Sequence, residues 1–203
     1  MEKIKKIFLT ILRDKKTSRP EFRKTAHTLS EILAHEAMLH FDTEQFDIET
    51  PMAKTVGTKL KPSIILVPIL RAGITMVEPF LHYFKDAKIG VVGLKRDEKT
   101  AQAHWYYENI PPIEKNTKII ILDPMIATGG TGIEVLKKLK EKGVKQEDIL
   151  FASIVCSPEG IEIIKSQFPN ITILTAAVDE KLNKDKFIIP GLGDFGDRYF
   201  GTE

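Results

Sequence analysis

The sequence is almost without cysteine: Cys156 is the one such residue in 203. A disulfide within the chain is therefore excluded, and so is a metal cluster built on thiolates. Cys156 borders an apolar run, where a lone thiol behaves as a small buried hydrophobe. Long hydrophobic runs are missing as well. Ile7 to Leu12 follows Lys3, Lys5 and Lys6 in the manner of a leader. The run is too short, however, and Arg13-Asp14-Lys15-Lys16 stands where small cleavage-site residues would be. No stretch approaches the roughly 20 apolar residues of a membrane span. A cytoplasmic chain with no membrane partner is expected. Charge of one sign is not in excess either. Lysine plus arginine number 30 against 28 acids, a net of +2. That balance gives no electrostatic case for nucleic acid as a partner. Internal repeats and low-complexity segments are also lacking.

What is present is a chain long enough for one domain with a sizeable core. Ile64–Leu70, Ile89–Leu94, 149–155 and 171–176 read as strands. Phe22, Ala26, Leu29, Leu33 and Ala37 recur at helical spacing, so 20–40 reads as an amphipathic helix. Thr17 or Ser18 can cap it, with Pro20 and Glu21 in its first turn. His27, His35 and His40 lie on or beside this helix without metal-ligand spacing to a carboxylate, and read as solvated or capping residues. Residues 1–16 read as a short surface strand or helix, and 43–62 as a hairpin or arm. A helix is expected over 158–168. Strands alternate with helices, which predicts an α/β fold with a mostly parallel central sheet flanked by helices. Ligands of such sheets bind at the carboxyl ends of the strands.

One stretch concentrates the chemistry. Ile119 to Leu122 is an unbroken apolar run, as in a strand buried on both faces. Asp123 and Pro124 end it. Met125 and Ile126 lead to a loop of small residues, Ala127, Thr128, Gly129, Gly130 and Thr131. Ile133, Leu136 and Leu139 then recur at helical spacing, and Gly143 marks the end. A glycine-rich loop opening a helix turns free N–H groups toward an anion, and the helix dipole adds to the attraction. Thr128 and Thr131 add hydroxyls. Asp123, at the strand tip, can accept hydrogen bonds from sugar hydroxyls. An acid beside a phosphate cradle suits a ribose 5-phosphate. A Walker loop is excluded, because Thr131 and Gly132 follow Gly130 where that motif has lysine and then serine or threonine.

Asp123 to Thr131 resembles the phosphoribosyl-diphosphate loop of uracil phosphoribosyltransferases. The Asp123-Pro124-Met125 opening is a specific variant, since most relatives in the wider superfamily carry two adjacent acids there. Two other strand tips carry charge. Arg71 follows the run ending at Leu70, and Gly73 allows an unusual backbone there. From that segment alone, a surface arginine and a diphosphate fork read equally well. Val67 to Gly73 resembles the diphosphate-binding segment of the family, and Arg96 matches a diphosphate-binding arginine. Residues 97–115 are polar with aromatics and read as a long irregular stretch, as a functional lid does. Gln102 to Tyr107 departs from the proline-containing segment that relatives carry.

Gly191-Leu192-Gly193-Asp194-Phe195-Gly196 matches the GxGxxG pattern of dinucleotide sites. The pattern is a decoy, because with seven residues left no helix is expected to follow. A tight glycine coil instead brings bare backbone groups close to a flat ligand. Residues 187–202 resemble the uracil-binding hood of the family. The resemblance implies that Ile188, Gly193 and Phe195 contact the base and that Asp194 lies between base and phosphoribosyl diphosphate. Phe187 falls where relatives usually have tyrosine, near the 5-position of the base. Glu2 to Phe8 departs from the family pattern.

The resemblance, which spans about 17–203, implies a single phosphoribosyltransferase domain over 1–203. Its core covers about 60–176, its helix and arm 17–60, its lid 97–115 and its hood 177–203. It implies transfer of a phosphoribosyl group from 5-phosphoribosyl 1-diphosphate to uracil, giving UMP and diphosphate. Asp123 takes the ribose hydroxyls, Ala127–Thr131 the 5-phosphate, and Arg71 and Arg96 the leaving diphosphate. Asp194 is an acid–base or positioning group. Mg²⁺ is expected on the diphosphate, with no dedicated protein ligands, together with a GTP effector and a homo-oligomer. The rival reading is a regulatory RNA-binding protein, which would need a basic face. The lysines at 137, 138, 140, 142 and 145 cluster, but Glu134, Glu141 and Glu147 interleave with them, as on a solvated helix face.

Overall fold

The apolar runs form the inner strands of one large sheet, and the amphipathic stretches form the helices that cover it. The computed structural model describes residues 1–96 and 103–202, apart from the side chains of Arg96 and Ala103. The chain opens with two helices, α1 (Glu2–Arg13) and α2 (Arg19–Met38). A hairpin of β1 (Thr43–Glu49) and β2 (Lys54–Leu60) follows. Then β3 (Ile64–Leu70) passes through a 3-10 turn, Ala72–Met76, into α3 (Val77–Tyr83). Next come β4 (Lys88–Ile89), β5 (Val91–Arg96), β6 (Ala103–Asn109), β7 (Lys118–Leu122), β8 (Met125–Ile126) and α4 (Gly130–Glu141). The last part holds β9 (Ile149–Cys156), α5 (Pro158–Gln167), β10 (Thr172–Val178), β11 (Lys181–Leu182), β12 (Ile188–Ile189) and α6 (Phe195–Phe200).

The main sheet runs β10-β9-β7-β3-β5-β6, with β4 beside β3 and β8 beside β9. Its described pairings are parallel except β5 with β6. The inner strands are covered on both sides, so successive residues feed two different cores. Ile64 and Leu66 of β3 and Ile120 and Leu122 of β7 face one core, with α1, α2, α3 and Phe195. Ile65, Val67 and Ile69, and Ile119 and Ile121, face the other, with Leu136 and Leu139 of α4 and Ile164 of α5.

The expected sheet and helices are present, and several details differ. The first residues form a twelve-residue helix, and Leu9 and Leu12 are buried. This helix is therefore bound into the core on one side, not merely laid on the surface. Ser18 caps α2 by accepting the Glu21 N–H at 3.4 Å. Residues 103–109, expected to be irregular, form β6, because pairing with β5 gives their backbone groups partners. The remainder of the expected lid, 97–102, lies outside the described residues. A short helix does follow the glycine coil. Asp194 caps it by accepting the Asp197 N–H at 2.9 Å, and Gly201, in the left-handed conformation, ends it. A side-chain cap at the start and a glycine at the end bound these six residues, and packing of Phe195 against Phe22 holds them in place.

Candidate active site

The site grows from a reversal in strand order. From β3 the chain moves to β5 on one side, then crosses to β7 on the other. The segment after β3 leads to α3 on one face of the sheet, and the segment after β7 leads to α4 on the opposite face. The two connections diverge and leave a crevice at the strand ends, where ligands of such sheets bind. Arg96, Arg71 and Asp123 stand at the carboxyl ends of β5, β3 and β7, three adjacent strands. The Arg96 side chain lies outside the described residues, so only its place at the end of β5 is given.

The turn after β3 fits closely against the end of β7. A Cβ built on Gly73 would stand 2.2 Å from the Leu122 carbonyl oxygen. No residue but glycine lets the two tips approach so nearly. The Leu70–Arg71 peptide is cis. Arg71 turns toward the C-terminal helix: Nη2 is 3.5 Å from Thr202 Oγ1 and 3.8 Å from Asp197 Oδ1. Its guanidinium lies 5.5 Å from the centre of the Phe200 ring. Segments far apart in sequence, the tip of β3 and the tail, thereby meet.

The loop between β8 and α4 is a cradle of unengaged donors. Gly129 takes φ +75°, and a Cβ on it would stand 2.8 Å from the Gly160 carbonyl oxygen. The first helical bond of α4 is from the Ile133 N–H to the Gly129 carbonyl at 2.9 Å. Among the described residues no protein acceptor takes the N–H groups of Thr128, Gly129, Gly130, Thr131 or Gly132, or the hydroxyls of Thr128 and Thr131. These groups surround a cavity of about 130 Å³ lined also by Asp123, Met125, Ile126, Ala127 and Phe151. Pro124 is buried, and its carbonyl accepts from both Ile154 and Val155 at 3.0 Å, which fixes the start of the loop to β9.

Asp123 opens on this cavity yet is largely enclosed by protein. Burial pushes its carboxyl up from 3.8 to about 7, against a weak opposing bond from the Met125 N–H at 3.4 Å. Desolvation therefore outweighs hydrogen bonding here. Its surroundings are poor in charge, and burial likewise raises the Cys156 thiol to about 11. Among the described residues, no group of three or more His, Cys, Asp or Glu is disposed to hold a metal ion.

The coil after β12 supplies the second set of donors. Gly191 and Gly193 take φ +61° and +83°, and the Ile189–Pro190 peptide is cis. Among the described residues the N–H groups of Gly193, Asp194 and Phe195 have no protein acceptor. The Phe195 side chain packs in the core, 5.3 Å from the Phe22 ring and 5.8 Å from that of Tyr199, centre to centre. Ile188 is buried as well. Both residues therefore present backbone, not side chain, to anything held against the coil. Phe187 is half exposed.

Supporting residues went unread in the sequence. Ser157 Oγ donates to the Ala127 carbonyl at 2.5 Å and accepts the Gly160 N–H at 2.8 Å. One hydroxyl thus caps α5 and steadies the loop before α4. A Cβ on Gly160 would stand 2.4 Å from the Ala127 oxygen. Ser157 ahead of Pro158 signals a helix start, but nothing in the sequence links it to residue 127.

Comparison with known proteins bears on the same residues. A family model described as uracil phosphoribosyltransferase matches residues 2–202. The chain is similar to curated proteins called uracil phosphoribosyltransferase from Salinibacter ruber, at 41% identity over 194 residues, and Dictyoglomus turgidum, at 43% over 196. These alignments cover 96% of this chain, and 91% and 94% of the two relatives. Among solved structures, the AQ2163 protein from Aquifex aeolicus is similar at a TM-score of 0.90 and 34% identity, covering 98% of this chain and 95% of that one. A hypoxanthine-guanine phosphoribosyltransferase from Bacillus anthracis has a TM-score of 0.51 and 11% identity over 79% of this chain and 80% of that one. That second likeness is one of fold alone.

Proposed function

Because the chain belongs to the uracil phosphoribosyltransferase family, we propose that it transfers the 5-phosphoribosyl group of 5-phosphoribosyl 1-diphosphate to uracil, giving UMP and diphosphate. The observation that supports the reading is the presence of two sets of free donors, one at the start of α4 and one in the coil whose following helix Arg71 reaches from the tip of β3. A cradle of free N–H groups at the start of α4 matches a phosphate, and a coil of free N–H groups at Gly193–Phe195 matches the carbonyls of a flat base. Arg71 spans from the tip of β3 to the helix that follows the coil.

In this reading the 5-phosphate sits in the loop from Ala127 to Thr131, where the N-terminus of α4 adds its dipole. Asp123, ionised, accepts from the ribose hydroxyls and fixes the sugar. Breaking the bond from ribose C1 to diphosphate leaves positive charge on the ring and negative charge on the leaving group. Arg71, and Arg96 from the next strand tip, stabilise the departing diphosphate. Mg²⁺ bound with the diphosphate would supply further neutralising charge to the leaving group beside Arg71 and Arg96. Uracil N1 bonds to ribose C1 as the bond to diphosphate breaks, and its proton passes to Asp194 or to solvent. Hydrogen bonds from the coil to the base carbonyls favour the anion, and Asp194 stands at the junction of base and sugar sites. Holding both reactants in line supplies much of the acceleration. A homo-oligomer and a GTP effector belong to the same proposal and rest on family resemblance, and a cytoplasmic location rests on the sequence reading above.

The basic face that a nucleic-acid regulator needs finds little support. Lys138 and Lys142 lie 3.5 and 2.7 Å from Glu108, and Lys137 lies 2.8 Å from Glu134. The test is UMP formation from uracil, phosphoribosyl diphosphate and Mg²⁺, with hypoxanthine, adenine and orotate in parallel. Uracil-only turnover that falls on Arg71→Ala supports the reading. Turnover with a different base would leave the phosphate cradle standing and sink the assignment of the coil.

A further inference from the structure

We propose that helix α1 is part of the base-binding apparatus, with Arg13 and Asp179 as positioning residues that hold the glycine coil in its binding shape. The inference rests on the functional reading above and concerns residues that touch no substrate.

Asp179 follows β10, is 8% exposed, and is fixed to the end of β9 by its own N–H, which donates to the Cys156 carbonyl at 2.9 Å. Its carboxylate does two things at once. Oδ2 accepts the Gly191 N–H at 2.8 Å. Both oxygens accept the Arg13 guanidinium, Nη1 to Oδ2 at 3.0 Å and Nη2 to Oδ1 at 2.5 Å. Arg13 Nη1 also reaches the Gly191 carbonyl at 3.4 Å. The pair thus grips the N–H and the C=O of one glycine. A fork meeting a carboxylate has a fixed geometry, so it transmits position as well as charge.

Gly191 is a sensitive place to hold. It has φ +61°, and a Cβ on it would stand 2.1 Å from the Ile188 carbonyl oxygen. The direction of the chain leaving this turn sets where the N–H groups of Gly193, Asp194 and Phe195 point. Only Leu192 separates Gly191 from the first of them.

A second guanidinium closes the arrangement from the other side. Arg198 of α6 donates through Nη1 to the carbonyls of Leu12 and Leu192, the latter at 2.6 Å, and through Nη2 to the Asp14 carbonyl at 2.8 Å. Leu12 and Asp14 lie at the C-terminal end of α1, where helix carbonyls lack intrahelical partners. The guanidinium also lies 4.4 Å from the centre of the Phe22 ring. Arg13 therefore ties α1 to the coil, and Arg198 ties the helix after the coil to α1. The helix is itself anchored by buried Leu9 and Leu12 and by Lys5, 3.1 Å from Glu36 of α2.

The test measures KM for each substrate separately in Arg13→Ala, Arg13→Lys and Asp179→Asn, with thermal unfolding of each variant alongside. Arg13→Ala is expected to raise KM for uracil roughly ten- to a hundredfold, the scale of losing a residue that orients a site from behind. KM for phosphoribosyl diphosphate should stay within about twofold, because the cradle at α4 is held by Ser157 and Gly160 and not by α1. Arg13→Lys should recover part of the loss, since it restores the charge without the fork. Asp179→Asn keeps an acceptor for the Gly191 N–H and should fall between the two. An Arg13→Ala enzyme with unchanged KM for uracil overturns the inference alone. So does an equal rise in both KM values accompanied by a lowered unfolding temperature, which would mark general destabilisation. Absence of uracil turnover in the unaltered enzyme would remove the functional reading, and this inference with it.

Discussion

Replacing Asp123 by asparagine is expected to stabilise the protein above neutral pH while impairing it as an enzyme. Burial raises the carboxyl from 3.8 to about 7. The unfolded chain ionises it near its ordinary value, so the folded state is penalised increasingly as pH rises from about 4 to about 7, and by a constant amount above that. Stability associated with the protonated form is full below the unfolded value and is lost as pH passes through the folded one. At about 1.4 kcal/mol per pH unit the upper limit is about 4 kcal/mol. The carboxyl opens on a cavity of about 130 Å³. Water there screens the group and leaves roughly 2 kcal/mol. Asparagine has nothing to ionise and escapes the penalty. Urea unfolding of both proteins at about pH 5 and about pH 8 should show the variant more stable at the higher pH, with a smaller gap at the lower. In the same variant kcat/KM for phosphoribosyl diphosphate should drop, and in the unaltered enzyme it should climb with pH through about 7 as the carboxylate forms. A stability gap of equal size at both pH values, or a destabilised variant, would refute the argument that desolvation of this carboxyl dominates.

Other substitutions probe the supports of the crevice. Gly73→Ala places a Cβ 2.2 Å from the Leu122 carbonyl oxygen. The tips of β3 and β7 must part, so a loss of roughly 2 kcal/mol or more is expected in urea unfolding, with kcat lowered through misplacement of Arg71 and Asp123. Ser157→Ala removes the cap of α5 and the bond to Ala127. A cost of about 2 kcal/mol by thermal unfolding should accompany a higher KM for phosphoribosyl diphosphate, with KM for uracil little changed. Phe187→Tyr acts on a half-exposed ring. It should shift stability by less than about 0.5 kcal/mol and change the relative turnover of 5-substituted uracils, measured in competition.

How much of this was legible in the sequence follows from the range of the forces involved. Ile64–Leu70 declared itself a doubly buried strand, and the structure places β3 on those residues, because an unbroken β-branched run has few other uses. The cradle at 127–131 was equally plain, since its chemistry lies in consecutive backbone groups and the rise into α4. The placing of 71, 96 and 123 at strand tips followed from alternation of strands and helices. Less was visible where a segment depends on distant partners. Residues 103–109 carry no strong signal of their own and become a strand because β5 offers them an open edge. The capped helix after Asp194 was missed because a six-residue helix is marginal alone and here packs Phe195 against Phe22.

By itself, then, the sequence determined the local objects: the buried strands, the small-residue loop before α4, the glycine coil and the charges at their ends. Each is written in consecutive residues through propensity, periodicity and backbone freedom. Only the tertiary structure decided how those objects are aimed. It brought Arg71 to the tail, enclosed Asp123 until its carboxyl titrates near 7, and set Arg13 and Asp179 on the two sides of Gly191. The contacts of Arg71 with the tail and of Arg13 with Asp179 join residues more than a hundred positions apart, and the enclosure of Asp123 depends on the polarity of a wall built from several strands. Their energies come from proximity and dielectric surroundings, which exist only once the chain has closed around them.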